Sequence, residues 1–311
     1  MRVRHVLSIA ELGRENLSEL LTRAFALAKQ QGKWAQSLKG KTVGIYFRRS
    51  STRTRTSFAV GAMRLGAGTI DYRKNDLQLI TGETVADTAR VLSGFLDVLV
   101  VRTNETLAEM KAFAEQDRMA VINAMSDNEH PTQAIGDLVT IHEAFGRLHD
   151  IHILYLGEGN NTAASLAMAV AQLPSMQLTL VTPEGYGLPD SVLATACRFA
   201  AQSGSVIEHH HQPDRLPRNV DVVYTTRWQT MGEPKSEVNW QEKFLPFSVT
   251  PALMARVSKP ERTIFLHDLP AVRAAEVADE VLDGPQSRAF RQARHKLTGA
   301  GAVLSWCLAD A

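Results

Sequence analysis

The sequence predicts an α/β protein of two domains, each a parallel sheet flanked by helices. Three observations carry this. The length, 311 residues, suits two domains that can each bury a core. Short β-branched and aromatic runs alternate with stretches of helical period along the whole chain. The residues best suited to chemistry recur just after the strand-like runs, where ligands collect in parallel sheets.

Residues 6 to 31 read as helices, with Ser8 as a cap and Leu17, Leu20, Leu21, Ala24 and Leu27 as an apolar stripe. Thr42 to Phe47 is a strand, and Phe58, Ala62 and Leu65 then repeat at helical spacing. A short strand is expected near Thr69 to Tyr72, followed by a loop from Asn75 to Gly82. A helix opens near Thr84, with Asp87 as its capping partner. Val98 to Val101 is an apolar run of buried-strand type that ends in Arg102, and Met119 to Ile122 is another. Asn123 to Glu129 reads as a polar loop.

His130-Pro131-Thr132-Gln133 starts a long helix, with Pro in the first turn and Ile135, Leu138, Ile141 and Phe145 facing inward. Gly146 is its stop. The domain transition falls along this helix, giving domains of 1–140 and 141–284. In the second, strands fit at 151–156, 178–181, 205–208, 220–224 and 263–266. Helices fit after Asn161, with Leu166, Val170 and Leu173 apolar, around 191–202, and from Pro285 onward. The repeated β-α units imply parallel sheets covered on both faces.

Composition excludes several classes. The hydrophobic content is 44% and the net charge +1, so no global charge argues for nucleic acid. No apolar run approaches a membrane span, and Met1 to His5 lacks the core of a signal peptide. Cys197 and Cys307 give neither a disulfide framework nor metal-ligand spacing, which points to a reducing cytoplasm.

The densest motif is Ser50-Ser51-Thr52-Arg53-Thr54-Arg55-Thr56-Ser57, between a strand and a helix. Free N–H groups and the helix dipole favour an anion there, and Arg adds a fork that matches phosphate oxygens. The plainer alternative is a Ser/Thr cap with solvated arginines. Arg102 is either a ligand at a sheet end or a simple strand-end charge. His130 and Gln133, at a helix start, can both hydrogen-bond a carbonyl oxygen. No metal-ligand set accompanies them. His209-His210-His211 alternates faces on a strand and reads as a strand end. Gly157-x-Gly159 resembles a dinucleotide-binding turn, but Thr162 stands where a third Gly belongs and only Glu184 offers the distant acid. A nicotinamide-dependent oxidoreductase rests on that turn alone. The Ser51 loop, Arg102, Asn123 to Gln133, Asn161 and His267 all follow strands, which predicts one cleft between two domains.

Ser51-Thr52-Arg53-Thr54-Arg55, with Ser57-Phe58 and Leu65-Gly66-Ala67, resembles the carbamoyl-phosphate signature of the aspartate and ornithine carbamoyltransferases. The resemblance extends over nearly the whole chain, through Arg4 to Leu12, Gly82 to Ser93, Arg102, His130-Pro131-Thr132-Gln133, Asn161 and His267-Asp268-Leu269-Pro270. It implies carbamoyl transfer from carbamoyl phosphate to an amine. Ser51, Thr52, Arg53, Thr54 and Arg102 are implied to hold phosphate. His130, Gln133 and the carbonyls of Leu269 and Pro270 are implied to hold the carbamoyl group. Arg53, Arg102, His130 and Gln133 are the implied catalytic residues. Lys296 takes the place of a C-terminal arginine of ornithine enzymes, and Gln78 matches a loop Gln that enters a neighbouring subunit. The implied assembly is a homotrimer without metal or organic cofactor, its last helix, 285–311, packed back on the first domain.

The acceptor residues depart from both branches. Asn161 matches the ornithine enzymes, and Arg227 and Gln229 match the aspartate enzymes. Thr226 replaces an Asp, Thr230 precedes Met231 where a Ser belongs, and Asp268 replaces a Cys. This mosaic predicts a small amino-acid-like acceptor other than plain ornithine. Ornithine is the chief alternative, and a non-catalytic paralogue a further one.

Overall fold

A computed structural model describes residues 3–30, 33–229, 235–259 and 261–308. It divides into two compact units, Met1–Val139 with Arg294–Ala311, and Thr140–Ala293. The first contains α1 (Ile9–Lys29), β1 (Thr42–Phe47), α2 (Arg53–Arg64), β2 (Gly68–Arg73), α3 (Val85–Leu92), β3 (Val98–Arg102), α4 (Leu107–Ala114), β4 (Ala120–Met125) and the start of α5 (Pro131–Phe145). Its sheet runs β2-β1-β3-β4, with every pair parallel. The side chains of Val98, Leu99, Val100 and Val101 are wholly buried. Burying each stabilises the fold by about 2 kcal/mol relative to exposure.

The second unit holds β5 (His152–Leu156), α6 (Asn161–Gln172), β6 (Gln177–Val181), α7 (Asp190–Ser203), β7 (Val206–His210) and β8 (Val222–Thr225). After them come the short helices α8 (Trp240–Phe244) and α9 (Pro251–Val257), β9 (Ile264–His267), α10 (Asp279–Leu282) and the first part of α11 (Ala289–Leu308). This sheet runs β7-β6-β5-β8-β9, again all parallel. Its core gathers Leu154, Leu156, Val223, Phe265 and Ala289 with Phe247 and Val257. The two α/β units, each a parallel sheet with helices, agree with the fold class read from the sequence.

Several local expectations need correcting. Asn123 to Met125 continue β4 rather than opening a polar loop. Asn123 tolerates complete burial because its amide donates to the Leu7 carbonyl at 2.8 Å and to Ser126 Oγ at 3.1 Å. The 6–31 segment starts its helical course only at Ile9, and non-helical Gly13, with φ +74°, divides it into two helices as far as Lys29; Val6 bridges to Ile122 instead. The last helix begins at Ala289, not Pro285. A single 3-10 turn, Gln78–Thr81, interrupts the loop before α3.

One irregularity positions chemistry. The β3–β4 register shifts between Val101, paired with Asn123, and Arg102, paired with Met125. The extra residue is Ala124, and bulges of this kind re-aim the side chain beside them. That side chain is Arg102.

Candidate functional site

The first unit gathers most of the residues proposed for the carbamoyl-phosphate site. The α2 helix starts at Arg53, and Thr52 makes no side-chain cap bond. The first-turn N–H groups of α2 thus take no bond from the Thr52 side chain, and a helix N-terminus of this kind suits an anion. Arg102 is nearly buried and its Nη1 donates to Thr54 Oγ1 at 3.3 Å, joining the end of β3 to the start of α2. Ser51 and Arg53 are half-buried and Thr52 is exposed. Arg55 turns away, since its Nε donates to Asp71 on β2 at 3.0 Å. Arg55 is thus engaged outside this group.

His130 immediately precedes α5, and its carbonyl accepts the Gln133 N–H at 3.0 Å. Lys296, on α11, donates from Nζ to Gln133 Oε1. Gln133 Nε2 donates in turn to Asp137 at 2.6 Å. The orientation of this amide is fixed from both ends, and Asp137 is a participant the sequence reading missed. Its signal was its place one helical turn after Gln133. Glu129 was also missed: it accepts the Ile9 N–H at 2.9 Å and the Ser8 hydroxyl, capping α1 from far along the chain. Gln78 is exposed and its Oε1 accepts from Thr81 at 3.1 Å.

Burial, then the positive charges of Lys296 and Arg102, hold His130 well below the usual histidine value of 6.5. The ring is neutral in the folded chain. Below about 6.5 the unfolded chain takes up a proton that the folded chain refuses. The stability from this site is therefore complete above that pH and is lost as the pH falls below it. His130→Asn is expected to flatten the fall in the urea midpoint between about pH 7 and pH 5. Equal slopes in parent and variant would show that His130 titrates alike in both states.

The second unit gathers the residues proposed for the acceptor. Asn160 caps α6, accepting from the N–H groups of Thr162 at 3.0 Å and Ala163 at 3.2 Å, which sets Asn161 as the first helical residue. Asn160 Nδ2 donates to Thr226 Oγ1 at 3.3 Å. Thr226 Oγ1 donates to Asp268 Oδ1, and Thr162 Oγ1 to Asp268 Oδ2, both at 3.0 Å. Arg227 and Gln229 follow β8 and are half-buried. Thr230 and Met231 lie outside the described residues. Leu269 and Pro270 follow Asp268 and share a cis peptide bond.

The Gly157-x-Gly159 turn has a packing explanation in place of a dinucleotide. Gly157 has φ +112°, and a Cβ there would lie 3.4 Å from the Trp228 ring. At Gly159 a Cβ would lie 2.5 Å from the backbone of Gly187 and Leu188. Beside this turn Lys235 pairs with Glu158, and its Nζ stands 4.5 Å from the Tyr186 ring centroid and 5.2 Å from that of Phe244. That ammonium cage was not read from the sequence. At the end of β7, His209 and His211 pack edge to face and both rings reach Thr182 Oγ1.

Comparison with known proteins agrees with this division of labour. Residues 4–143 match the carbamoyl-phosphate-binding domain of the aspartate/ornithine carbamoyltransferases, and residues 149–307 match their Asp/Orn-binding domain. The ornithine carbamoyltransferase of Caldicellulosiruptor saccharolyticus is 40% identical over 304 residues, 97% of each chain. That of Bacillus subtilis is 38% identical, over 96% of this chain and 92% of its own. The solved structure of the Pyrococcus furiosus ornithine carbamoyltransferase superposes with a TM-score of 0.92 at 37% identity, covering 98% of this chain and 96% of that one. With both family domains matched in order and relatives this similar along its length, the chain belongs to the aspartate/ornithine carbamoyltransferase family of enzymes.

Proposed function

We propose that the enzyme transfers the carbamoyl group of carbamoyl phosphate to the δ-amine of ornithine, giving citrulline and phosphate. This corrects the acceptor expected from Thr226, Arg227 and Asp268. Relatives 38% and 40% identical over nearly the whole chain are named ornithine carbamoyltransferases, which overturns the reading of a different acceptor. The observation that carries the transfer chemistry is the Arg102–Thr54 contact beside the open first turn of α2.

Arg53, Arg102, the hydroxyls of Ser51, Thr52 and Thr54, and the α2 N–H groups hold the phosphate. They stabilise the charge that grows on it as the C–O bond breaks. Neutral His130, with Thr54 and Arg102, polarises the carbamoyl oxygen. Gln133, steered by Lys296 and Asp137, orients the carbamoyl nitrogen together with the carbonyls of Leu269 and Pro270. The δ-amine attacks the carbamoyl carbon, the new C–N bond forms, and the departing phosphate takes the amine proton. No step calls for a metal or an organic cofactor. Asn161, Arg227, Gln229, Thr230 and Met231 contact the amino acid.

The assembly proposed is a homotrimer in which exposed Gln78 reaches a neighbouring subunit, and its compartment the cytoplasm, where the free thiols of Cys197 and Cys307 stay reduced. Sedimentation of an active species as a monomer overturns the shared site. The acceptor is tested by incubating the protein with carbamoyl phosphate and ornithine, lysine, 2,4-diaminobutyrate, aspartate or putrescine, reading ureido products by mass. Citrulline is expected to form faster than any other product. A faster reaction with another amine overturns the assignment.

A further inference from the structure

Asp268 is a carboxylate held from two sides by neutral hydroxyls, those of Thr226 and Thr162. Its side chain is only 16% exposed. Among the described residues its one ion-pair contact is His267, whose Nδ1 lies 3.6 Å away. That nitrogen accepts the Leu269 N–H at 2.8 Å, so it carries no proton to donate to the neighbouring carboxylate. The opposite nitrogen faces Glu276 at 3.2 Å. Asp268 is thus a sheltered acid served by dipoles alone, and such a group favours a cation.

Next to Thr226 in sequence stands Arg227, half-buried and in no ion pair among the described residues. Asp268 is thus bonded to the residue that precedes Arg227 in sequence, and neither Asp268 nor Arg227 pairs with an Arg, Lys, Asp or Glu among the described residues. The head group of an α-amino acid presents the complementary pair, an ammonium and a carboxylate on one carbon.

We infer that Asp268 anchors the α-ammonium of the acceptor, with Thr226 and Thr162 aiming its carboxylate. The attacking δ-amine is a poorer match, because it must be neutral to react and an adjacent carboxylate holds it protonated. The inference rests on the ornithine reading above, and gives this site its anion on the loop after β9 rather than at the end of β8.

The test compares ornithine with 5-aminopentanoate, which keeps the carboxylate and the reacting amine but lacks the α-ammonium. Asp268→Asn is expected to raise the KM for ornithine by about 10- to 100-fold, the range of a hydrogen bond to a charged group. The KM for carbamoyl phosphate stays within about twofold, and turnover of 5-aminopentanoate changes little. The parent's preference for ornithine over 5-aminopentanoate collapses accordingly. Moving the acid across the hydrogen bond, in the double variant Thr226→Asp with Asp268→Asn, restores much of that preference. Thr226→Val, which keeps the charge and removes one aiming hydroxyl, gives a loss of several-fold. A preference unchanged in Asp268→Asn overturns the inference and leaves the acceptor assignment standing. Equal losses with both acceptors also overturn it, since the carboxylate then acts on the attacking amine. A parent enzyme that forms no citrulline overturns the acceptor assignment, and the inference falls with it.

Discussion

Arg53→Ala is expected to lower kcat/KM for citrulline formation by about a hundred- to a thousandfold, the cost of deleting one preorganised charge-stabilising donor. The site explains the size. Arg53 is the first residue of α2, and in the proposed site its guanidinium and the helix N-terminus share one phosphate. Substitution leaves the core untouched, because the buried face of α2 is formed by Thr54, Ser57, Phe58, Gly61 and Ala62. Circular dichroism and the melting temperature should match the parent while turnover collapses. Arg53→Lys keeps the charge but loses the planar fork, so it recovers only part of the activity. A variant Arg53→Ala that turns over within tenfold of the parent removes this residue from the proposed site.

Gly159→Ala is expected to destabilise the second unit by about 3 kcal/mol, at the upper end of overpacking. The added methyl would meet Gly187 and Leu188 backbone atoms at 2.5 Å, and backbone cannot rotate aside. The turn would have to shift, carrying Asn160 and Asn161 with it. Weaker ornithine binding should therefore accompany the lower thermal midpoint. Gly204→Ala is the control: its φ is +77° but nothing lies within 4 Å of the new methyl, so only the left-handed backbone is strained. That strain costs about 1 kcal/mol. Equal effects in the two variants would show that the close approach of residues 187 and 188 carries no weight.

The sheets were legible because their signals are local. Val98 to Val101 and Ile151 to Leu156 are apolar runs of strand length, and the structure finds β3 and β5 there. Reading failed where a partner distant in sequence decides the outcome. Asn123 looked like loop, yet the Leu7 carbonyl satisfies its amide inside the sheet. Arg55 carried no assigned role, and its partner Asp71, 16 positions on, was equally invisible. The helix α4 was passed over because Leu107, Met110 and Phe113 form too short an apolar stripe to stand out. At the acceptor group, Thr226 looked like a lost acid. Its hydrogen bond to Asp268, 42 positions away, brings a carboxylate beside it. Resemblance located these residues, and only coordinates could join them.

The Lys296–Gln133 contact has a bearing on how the protein is made. Its partners are 163 residues apart, and the first unit takes its closing segment, Arg294–Ala311, from the far end of the chain. At synthesis rates of roughly 5 to 20 residues per second, Gln133 waits about ten to thirty seconds for the lysine that steers it. Meanwhile the amino-terminal half leaves the ribosome with the seat of α11 open, where Trp34 and Leu27 later meet Gly301. Throughout that interval the apolar surface that α11 later covers stays exposed, and the Gln133 amide lacks the lysine that orients it.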